Sequence, residues 1–338
     1  RMMLFVSLCL GLCTATATAS SLRLVSFNIH AWRDAQHHDN FDGLVELLQH
    51  LQPDVLCLNE VLHPFVAPPA DDAYWETVRQ RRGYGKELPS AAVPQHIGDS
   101  YLSRLSSALE MPHCEFAAAT QTRSFFGRAP FGNCILSKHK LEGARRVLCV
   151  ATEADLQLGD QERTIVDLED RSCLLASVVL PGGQTLGLAC THLDHRAEEM
   201  REKQICQFLR ETQDAFGQQP YVLCGDLNSF DERDMDVEAW RAICALYASK
   251  GWPAPRSRSL VRTALEDAGL SDTFELQADP EPGVPHPPPS SWTATRIDYV
   301  MLSNRGRGDA KDVMVRSHRT LQSDVSDHLP LVVDIEVS

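Results

Sequence analysis

Ser326-Asp327-His328-Leu329-Pro330 stands directly before an apolar run, Leu331-Val332-Val333-Asp334-Ile335. An imidazole at the mouth of a strand can take a proton, and a nearby carboxylate can hold its tautomer and stabilise the imidazolium. One Asp-His pair is an ordinary loop feature. Here it closes a series of short segments, each at the end of an apolar run. The others are Ser26-Phe27-Asn28-Ile29-His30, Leu58-Asn59-Glu60-Val61, Thr191-His192-Leu193-Asp194, Gly225-Asp226-Leu227-Asn228 and Arg296-Ile297-Asp298-Tyr299.

Working outward, 22–27 reads as a short apolar strand. Phe41, Leu44, Val45, Leu47, Leu48 and Leu51 follow helical spacing. Pro53 ends that helix because it lacks an amide donor and restricts the residue before it. The stretch 54–58 is then a buried strand, so the chain opens strand, helix, strand. Residues 63–111 hold Pro64, Pro68, Pro69, Pro89 and Pro94 and read as an irregular insertion over the site mouth, either a specificity loop or a surface excursion. Short strands are expected at 114–120, 132–137, 147–151, 164–168, 172–180 and 186–191. Pro181-Gly182-Gly183 supplies the turn between the last two. Helices are expected at 197–216, 237–248 and 259–268, strands at 221–224, 293–303, 313–318 and 331–337, and a Pro-rich loop at 278–289. No internal repeat is visible.

The 338 residues are 43% hydrophobic and 23% charged, as in a soluble globular protein. The net charge of -14 is the reverse of a broad basic nucleic-acid surface. A phosphodiester would therefore have to meet a metal ion and local arginines. Arg79, Arg81 and Arg82, Arg145 and Arg146, and Arg256 and Arg258 are the candidates, although each cluster alone reads as solvated surface charge. The apolar run from Leu4 to Leu12 is too short to span a bilayer, and Ala17-Thr18-Ala19 fits a small-residue cleavage site. Residues 1–19 are thus expected to be a secretory signal, with 20–338 as one exported domain. No later run is long and apolar enough for a membrane helix. Of the 11 cysteines, nine lie beyond that leader, so one at least is unpaired. Cys57, Cys134, Cys190 and Cys224 sit in apolar runs and read as small core residues. No cysteine-histidine spacing fits zinc.

Glu60 follows Val55-Leu56-Cys57-Leu58 and presents a carboxylate where that strand ends. Mg²⁺ takes hard oxygen ligands and keeps several waters, so one or two carboxylates suffice. Asp226 and Asn228 are two apart after Val222-Leu223-Cys224, which puts them on one side of a strand. A carboxylate and an amide so placed can orient a water and hold a phosphoryl oxygen. Alone, Gly225-Asp226-Leu227-Asn228 suits a turn equally well. Asn133, in Gly132-Asn133-Cys134-Ile135, either faces the site or starts its strand. Asp194 either joins the site or caps the next helix.

Together, in this order, the six segments resemble the endonuclease/exonuclease/phosphatase superfamily, over about 22–337. The stretches 226–236 and 294–302 look most like uncharacterised plant and protist deoxyribonuclease I-like proteins. The resemblance implies an α/β fold, a two-sheet, four-layer sandwich of the deoxyribonuclease I type. It implies Mg²⁺ or Mn²⁺, held by Glu60 with Asn28 and Asp327 beside it. It implies catalytic roles for His192, Asp226, Asn228, Asp298 and His328, with Asp298 orienting His328. Two departures narrow it. His30 stands where abasic-site endonucleases commonly carry an acidic residue. Cys224 precedes Gly225, where inositol polyphosphate 5-phosphatases typically show Trp. The expected activity is metal-dependent phosphodiester hydrolysis, as in a nuclease. The alternatives are a phosphoinositide phosphatase, a sphingomyelinase-type lipid phosphodiesterase, or a non-catalytic binding protein on the same scaffold. Nucleic acid, phospholipid and small phosphodiesters are the matching partners.

Overall fold

The computed structural model describes residues 19–66, 94–120, 129–157, 169–252, 254–280, 287–303 and 313–338. All but the last residue of the expected leader lies outside them, as do the expected strand at 164–168 and Arg79, Arg81 and Arg82.

Two six-stranded mixed sheets pack face to face. The first holds β1 (Ser20–Asn28), β2 (Val55–Leu62), β3 (His113–Thr120), β4 (Phe131–Ser137), β11 (Val313–Thr320) and β12 (Leu331–Val337), in the order β11-β12-β1-β2-β4-β3. The second holds β5 (Leu141–Cys149), β6 (Arg171–Val179), β7 (Thr185–Thr191), β8 (Tyr221–Asp226), β9 (Leu270–Asp272) and β10 (Asp298–Ser303), in the order β5-β6-β7-β8-β10-β9. Helices cover the outer faces, giving the four-layer α/β sandwich.

Side-chain alternation builds the layers. Leu22 and Leu24 of β1 and Val55 and Cys57 of β2 face inward, against Leu188, Cys190, Val222, Cys224 and Val300. Val25, Phe27, Leu56 and Leu58 face outward. They pack on Leu44 and Leu48 of α1 (Phe41–Leu51) and on Leu102 and Leu105 of α2 (Tyr101–Ala108). Across the molecule, Ala189, Leu223 and Met301 meet Ile205 and Phe208 of α3 (Glu198–Phe216) and Val261 and Leu265 of α5 (Leu260–Asp267). In chain order α4 (Val237–Lys250) falls between these two helices. Leu44 and Leu48 are wholly buried, each worth about 1.5–3 kcal/mol. Helix α1 stops where Gln52 turns left-handed, just ahead of Pro53.

Several boundaries differ from the sequence reading. β5 begins at Leu141 rather than 147, since residues 142–146 are exposed along a sheet edge and lack an apolar signature. The strand expected at 293–303 begins only at Asp298, because a hydrogen-bonded turn occupies 291–295. Within the stretch read as irregular, α2 packs on α1 and its side chains enter the outer core. The three-residue β9 and the single turn of α6 (Thr273–Leu276) are too short to announce themselves. The nine described cysteines are all free thiols, with Cys114 Sγ 3.8 Å from Cys134 Sγ.

Candidate active site

Strands β1 and β2 run parallel, as do β7 and β8, so β1, β7 and β8 deliver their C-terminal residues to one end of the sandwich. β10 and β12 run the other way and begin there. Asp298, first in β10, sits opposite Asp226, last in β8. His328 lies just ahead of β12.

Asp226 is the hub. It is 2% exposed, and its Oδ2 accepts from Asn28 Nδ2 at 3.0 Å and lies 3.4 Å from His192 Nε2 and 3.6 Å from His328 Nε2. Its Oδ1 accepts from the Asn228 amide at 2.9 Å. Asn228 therefore joins Asp226 through a side-chain turn with a left-handed backbone, φ 49°, and not through strand alternation. Burial pushes the Asp226 carboxyl up to about 6. Gly225 makes room for this strand end. A Cβ there would lie 1.9 Å from the Thr191 carbonyl, and its φ of 132° is one that side chains rarely adopt.

Glu60 does not end its strand, which continues to Leu62. The β2–β4 register shifts between Leu58 and Val61, and Glu60 itself is left-handed at φ 57°. Such bulges re-aim a side chain, and the strained residue is held by its surroundings. Glu60 Oε1 accepts from Asn28 Nδ2 at 3.2 Å. The residue as a whole is partly exposed, but Oε2 is shielded and has no partner. Burial first, then the nearby Asp327 charge, push the Glu60 carboxyl up to about 7.

The two site histidines sit in opposite electrostatic settings. His328 Nδ1 is 2.8 Å from Asp298 Oδ2, which also accepts from Ser290 Oγ at 2.8 Å. Burial alone would lower this imidazole, but Asp298 and Asp226 outweigh it and hold it well above its ordinary value. His192 has Arg171 Nη1 3.3 Å from Nδ1 and Asn228 Nδ2 3.0 Å from Nε2. Both neighbours are N–H donors, and an imidazolium has no acceptor to offer them. Burial and the Arg171 charge accordingly keep His192 well below its ordinary value, so it is neutral.

Of the residues singled out from sequence, Asn28, Glu60, His192, Asp226, Asn228, Asp298 and His328 converge. Glu60, His192 and Asp226 bring ligand atoms within 4.8 Å of one another, and so do Asp226, Asp298 and His328. Asp327 belongs to neither group. Its Oδ1 lies 3.6 Å from Nδ1 of His30, which burial lowers to about 4. Asp194 caps a turn, its Oδ1 accepting from the Arg196 and Ala197 amides at 2.9 Å each. Asn133 faces the joint between the sheets and donates to the Ser172 carbonyl at 2.8 Å. Arg145 pairs with Glu211, Arg256 with Glu199 and Arg258 with Glu266, so these surface arginines have local partners.

Four contributors went unread. Asn59 donates to Asn133 Oδ1 at 2.8 Å and to the Thr191 carbonyl at 2.9 Å, and its Oδ1 accepts the Asp226 amide at 3.0 Å. It ties both sheets to the hub. Arg171 opens β6 beside His192. Ser290 braces Asp298. Ser326 donates to the Asn28 carbonyl at 2.8 Å and accepts the His328 amide at 3.3 Å. Asn59 sits beside Glu60 in the quoted segment, but nothing in the sequence marks its burial.

An unpaired, shielded carboxylate oxygen beside a second buried carboxylate is a hard-oxygen setting that fits a divalent cation. The model of the Endonuclease/Exonuclease/phosphatase family matches residues 25–328. Among solved structures, an endonuclease/exonuclease/phosphatase from Beutenbergia cavernae DSM 12333 is 21% identical, with a TM-score of 0.61 over 94% of this chain and 72% of its own. The human Nocturnin catalytic domain with bound sulfate is 18% identical, with a TM-score of 0.55 over 94% and 95%. A mannosyl-6-phosphatase from Bacteroides thetaiotaomicron VPI-5482 is 11% identical, with a TM-score of 0.59 over 93% and 99%. At these identities the likeness is one of fold. No curated protein matches the chain.

Proposed function

The chain belongs to the endonuclease/exonuclease/phosphatase family, and on that footing we propose that it is a metal-dependent phosphoester hydrolase acting on a phosphodiester by in-line attack of water. The observation that carries this reading is the sharing of Asp226 between two clusters, one with Glu60 and His192 and one with Asp298 and His328.

Glu60 would hold the cation, Mg²⁺ or Mn²⁺, with Asn28 steadying its carboxylate and that of Asp226. Such an ion supplies Lewis-acid charge to a phosphoryl oxygen. Asp226, with its proton affinity raised toward neutrality, is ionised at pH 7 yet basic enough to accept a proton. As a water oxygen bonds to phosphorus, its proton passes to Asp226. The bond to the ester oxygen breaks on the opposite side, and that oxygen leaves with a proton from solvent. His328 keeps its proton and offers Nε2–H and a positive charge to the phosphoryl oxygens, with Asp298 fixing the ring. Neutral His192 and the Asn228 amide line the other flank, where they orient rather than titrate. Asp327 flanks the site through His30. A binding protein would have no use for buried carboxylates of raised proton affinity set against a charged imidazole.

The test is hydrolysis by the purified protein with Mg²⁺, against EDTA. Substrates are bis-p-nitrophenyl phosphate, plasmid DNA, single-stranded RNA, a phosphoinositide and sphingomyelin. EDTA-sensitive turnover lost in both Asp226→Ala and His328→Ala supports the reading. Near wild-type turnover in either folded variant refutes the roles given. Export through residues 1–19 is a separate proposal, and secretion persisting after deletion of 2–19 would overturn it.

A further inference from the structure

Trp292 is 63% exposed and stands beside the site. A lone exposed aromatic is ordinary surface. Its placement and its stiffness set this one apart. The Trp292 amide donates to the Asp327 carbonyl at 2.9 Å, and Ser291 bridges His328 across the same pair of segments. The backbone of Trp292 is thus hydrogen-bonded to the residue just ahead of His328. The turn beneath it is locked. The Ser290 and Ser291 amides both donate to the Thr295 carbonyl, at 3.0 and 3.2 Å, and the Ala294 amide to the Ser291 carbonyl at 3.0 Å. The hydroxyls of Ser291, Thr293 and Thr295 bond one another at 2.7–3.0 Å. Ser290, at its base, is the residue that braces Asp298. A large ring is held out to water on a rigid loop whose base is part of the catalytic framework.

We propose that Trp292 is a specificity residue, a stacking platform for a nucleobase flanking the scissile phosphate. This rests on the phosphodiesterase reading above and adds what the ester carries. Two observations favour a base over a lipid surface. The neighbours of Trp292 in the turn are Ser291, Thr293, Ala294 and Thr295, which make no apolar patch for a bilayer to receive. With a net charge of -14, the protein has no general cationic hold on a polyanion. A ring offers grip that needs no cationic surface, and base–aromatic stacking is sequence-tolerant because every base has a π-face.

The experiment separates binding from turnover. Full-length protein in EDTA is titrated into fluorescein-labelled oligothymidylate and into the same strand with abasic tetrahydrofuran at every position. Wild type binds the base-bearing strand more tightly, with a shallow salt dependence. Trp292→Ala lowers that preference by about tenfold, the worth of one stacked base, and Trp292→Phe keeps most of it. With Mg²⁺ the same change appears in KM rather than kcat. The proposal is overturned if wild type binds the two strands equally, or if Trp292→Ala leaves the preference intact. It is also overturned if the variant's deficit is confined to phosphatidylcholine vesicles. If the base preference holds in EDTA and follows Trp292 while no ester is cleaved with Mg²⁺, the hydrolase reading fails and the platform stands.

Discussion

Replacing Asp272 by Asn isolates a buried charge pair that stands behind the site. Arg296 directs Nη1 and Nη2 at the two Asp272 oxygens, 2.6 and 2.8 Å away, and Arg262 Nη1 adds a third contact at 3.4 Å. Asp272 and both arginines are nearly inaccessible to water. Burial alone would raise the Asp272 carboxyl, but Arg296 and then Arg262 outweigh it and bring it from 3.8 down to about 2. That gap is worth about 2 kcal/mol at neutral pH, at about 1.4 kcal/mol per unit. Asn has the shape of the protonated acid and can still accept the Phe274 amide, as Asp272 Oδ1 does at 3.0 Å. The loss should therefore be about 2 kcal/mol, rising toward about 3–5 if Arg296 is left wholly uncompensated. The sign follows from linkage. A depressed carboxyl stabilises fully above its unfolded value, so the gap between variant and wild type is constant from neutrality to about pH 5 and closes as pH falls from 3.8 toward 2. Urea unfolding of both proteins across that range measures it. A gap under about 0.5 kcal/mol at pH 7, in the range of ordinary surface changes, would refute the reasoning, as would a gap that stays the same in acid.

Other changes probe the site directly. Asp298→Asn keeps the shape beside His328 but removes the charge that holds its proton, so kcat should fall by roughly 10²- to 10⁴-fold with folding preserved; steady-state kinetics on bis-p-nitrophenyl phosphate decides it. Gly225→Ala puts a methyl against the Thr191 carbonyl at a disallowed φ and should cost more than about 3 kcal/mol, seen as a large drop in Tm or loss of soluble protein. Asn59→Leu unpairs the Asp226 amide, Asn133 Oδ1 and the Thr191 carbonyl at once, at about 1–3 kcal/mol each; a urea midpoint equal to wild type would show these contacts to be idle. Mg²⁺ at about a hundred times its Kd should stabilise the wild type by about 2.7 kcal/mol, and Glu60→Gln should abolish that shift in thermal melts.

How much of this was readable follows from which forces act locally. The spacing of α1 and its stop before Pro53 are local, and both are where the sequence puts them. The chemical segments were legible as residue types at the ends of apolar runs. Their pairing was not, because it is made over long separations. Asn28 meets Asp226 across 198 positions, and Ser326 meets Asn28 across 298. Facing was hidden too. Strands such as β8 are buried on both sides and read as unbroken apolar runs, which carry no period-two signal. Edge strand β5 errs the other way, its exposed middle reading as loop. The Glu60 bulge needed the register of β4 before it could appear at all.

The charges at the hub make sense only as a set. Burial disfavours the ionised form of a carboxylate, and it is the first reason that Glu60 and Asp226 are both pushed upward. Buried histidines would be pushed down, as His192 is. His328 departs from that rule because Asp298, braced by Ser290, stands on the side away from the hub. A second proton is thereby held on an imidazole that faces Asp226 at 3.6 Å, while the imidazole across the hub is kept neutral by burial and by the Arg171 charge. Environments that drive neighbouring groups apart in proton affinity assign their roles. Here they give one resident cation, one neutral ring and two buried carboxylates whose ionised forms a further positive charge would stabilise. On the proposed reading a phosphoryl group would offer oxygens to such a charge and to His328 together, with Asp226, the carboxylate shared by the two clusters, between them.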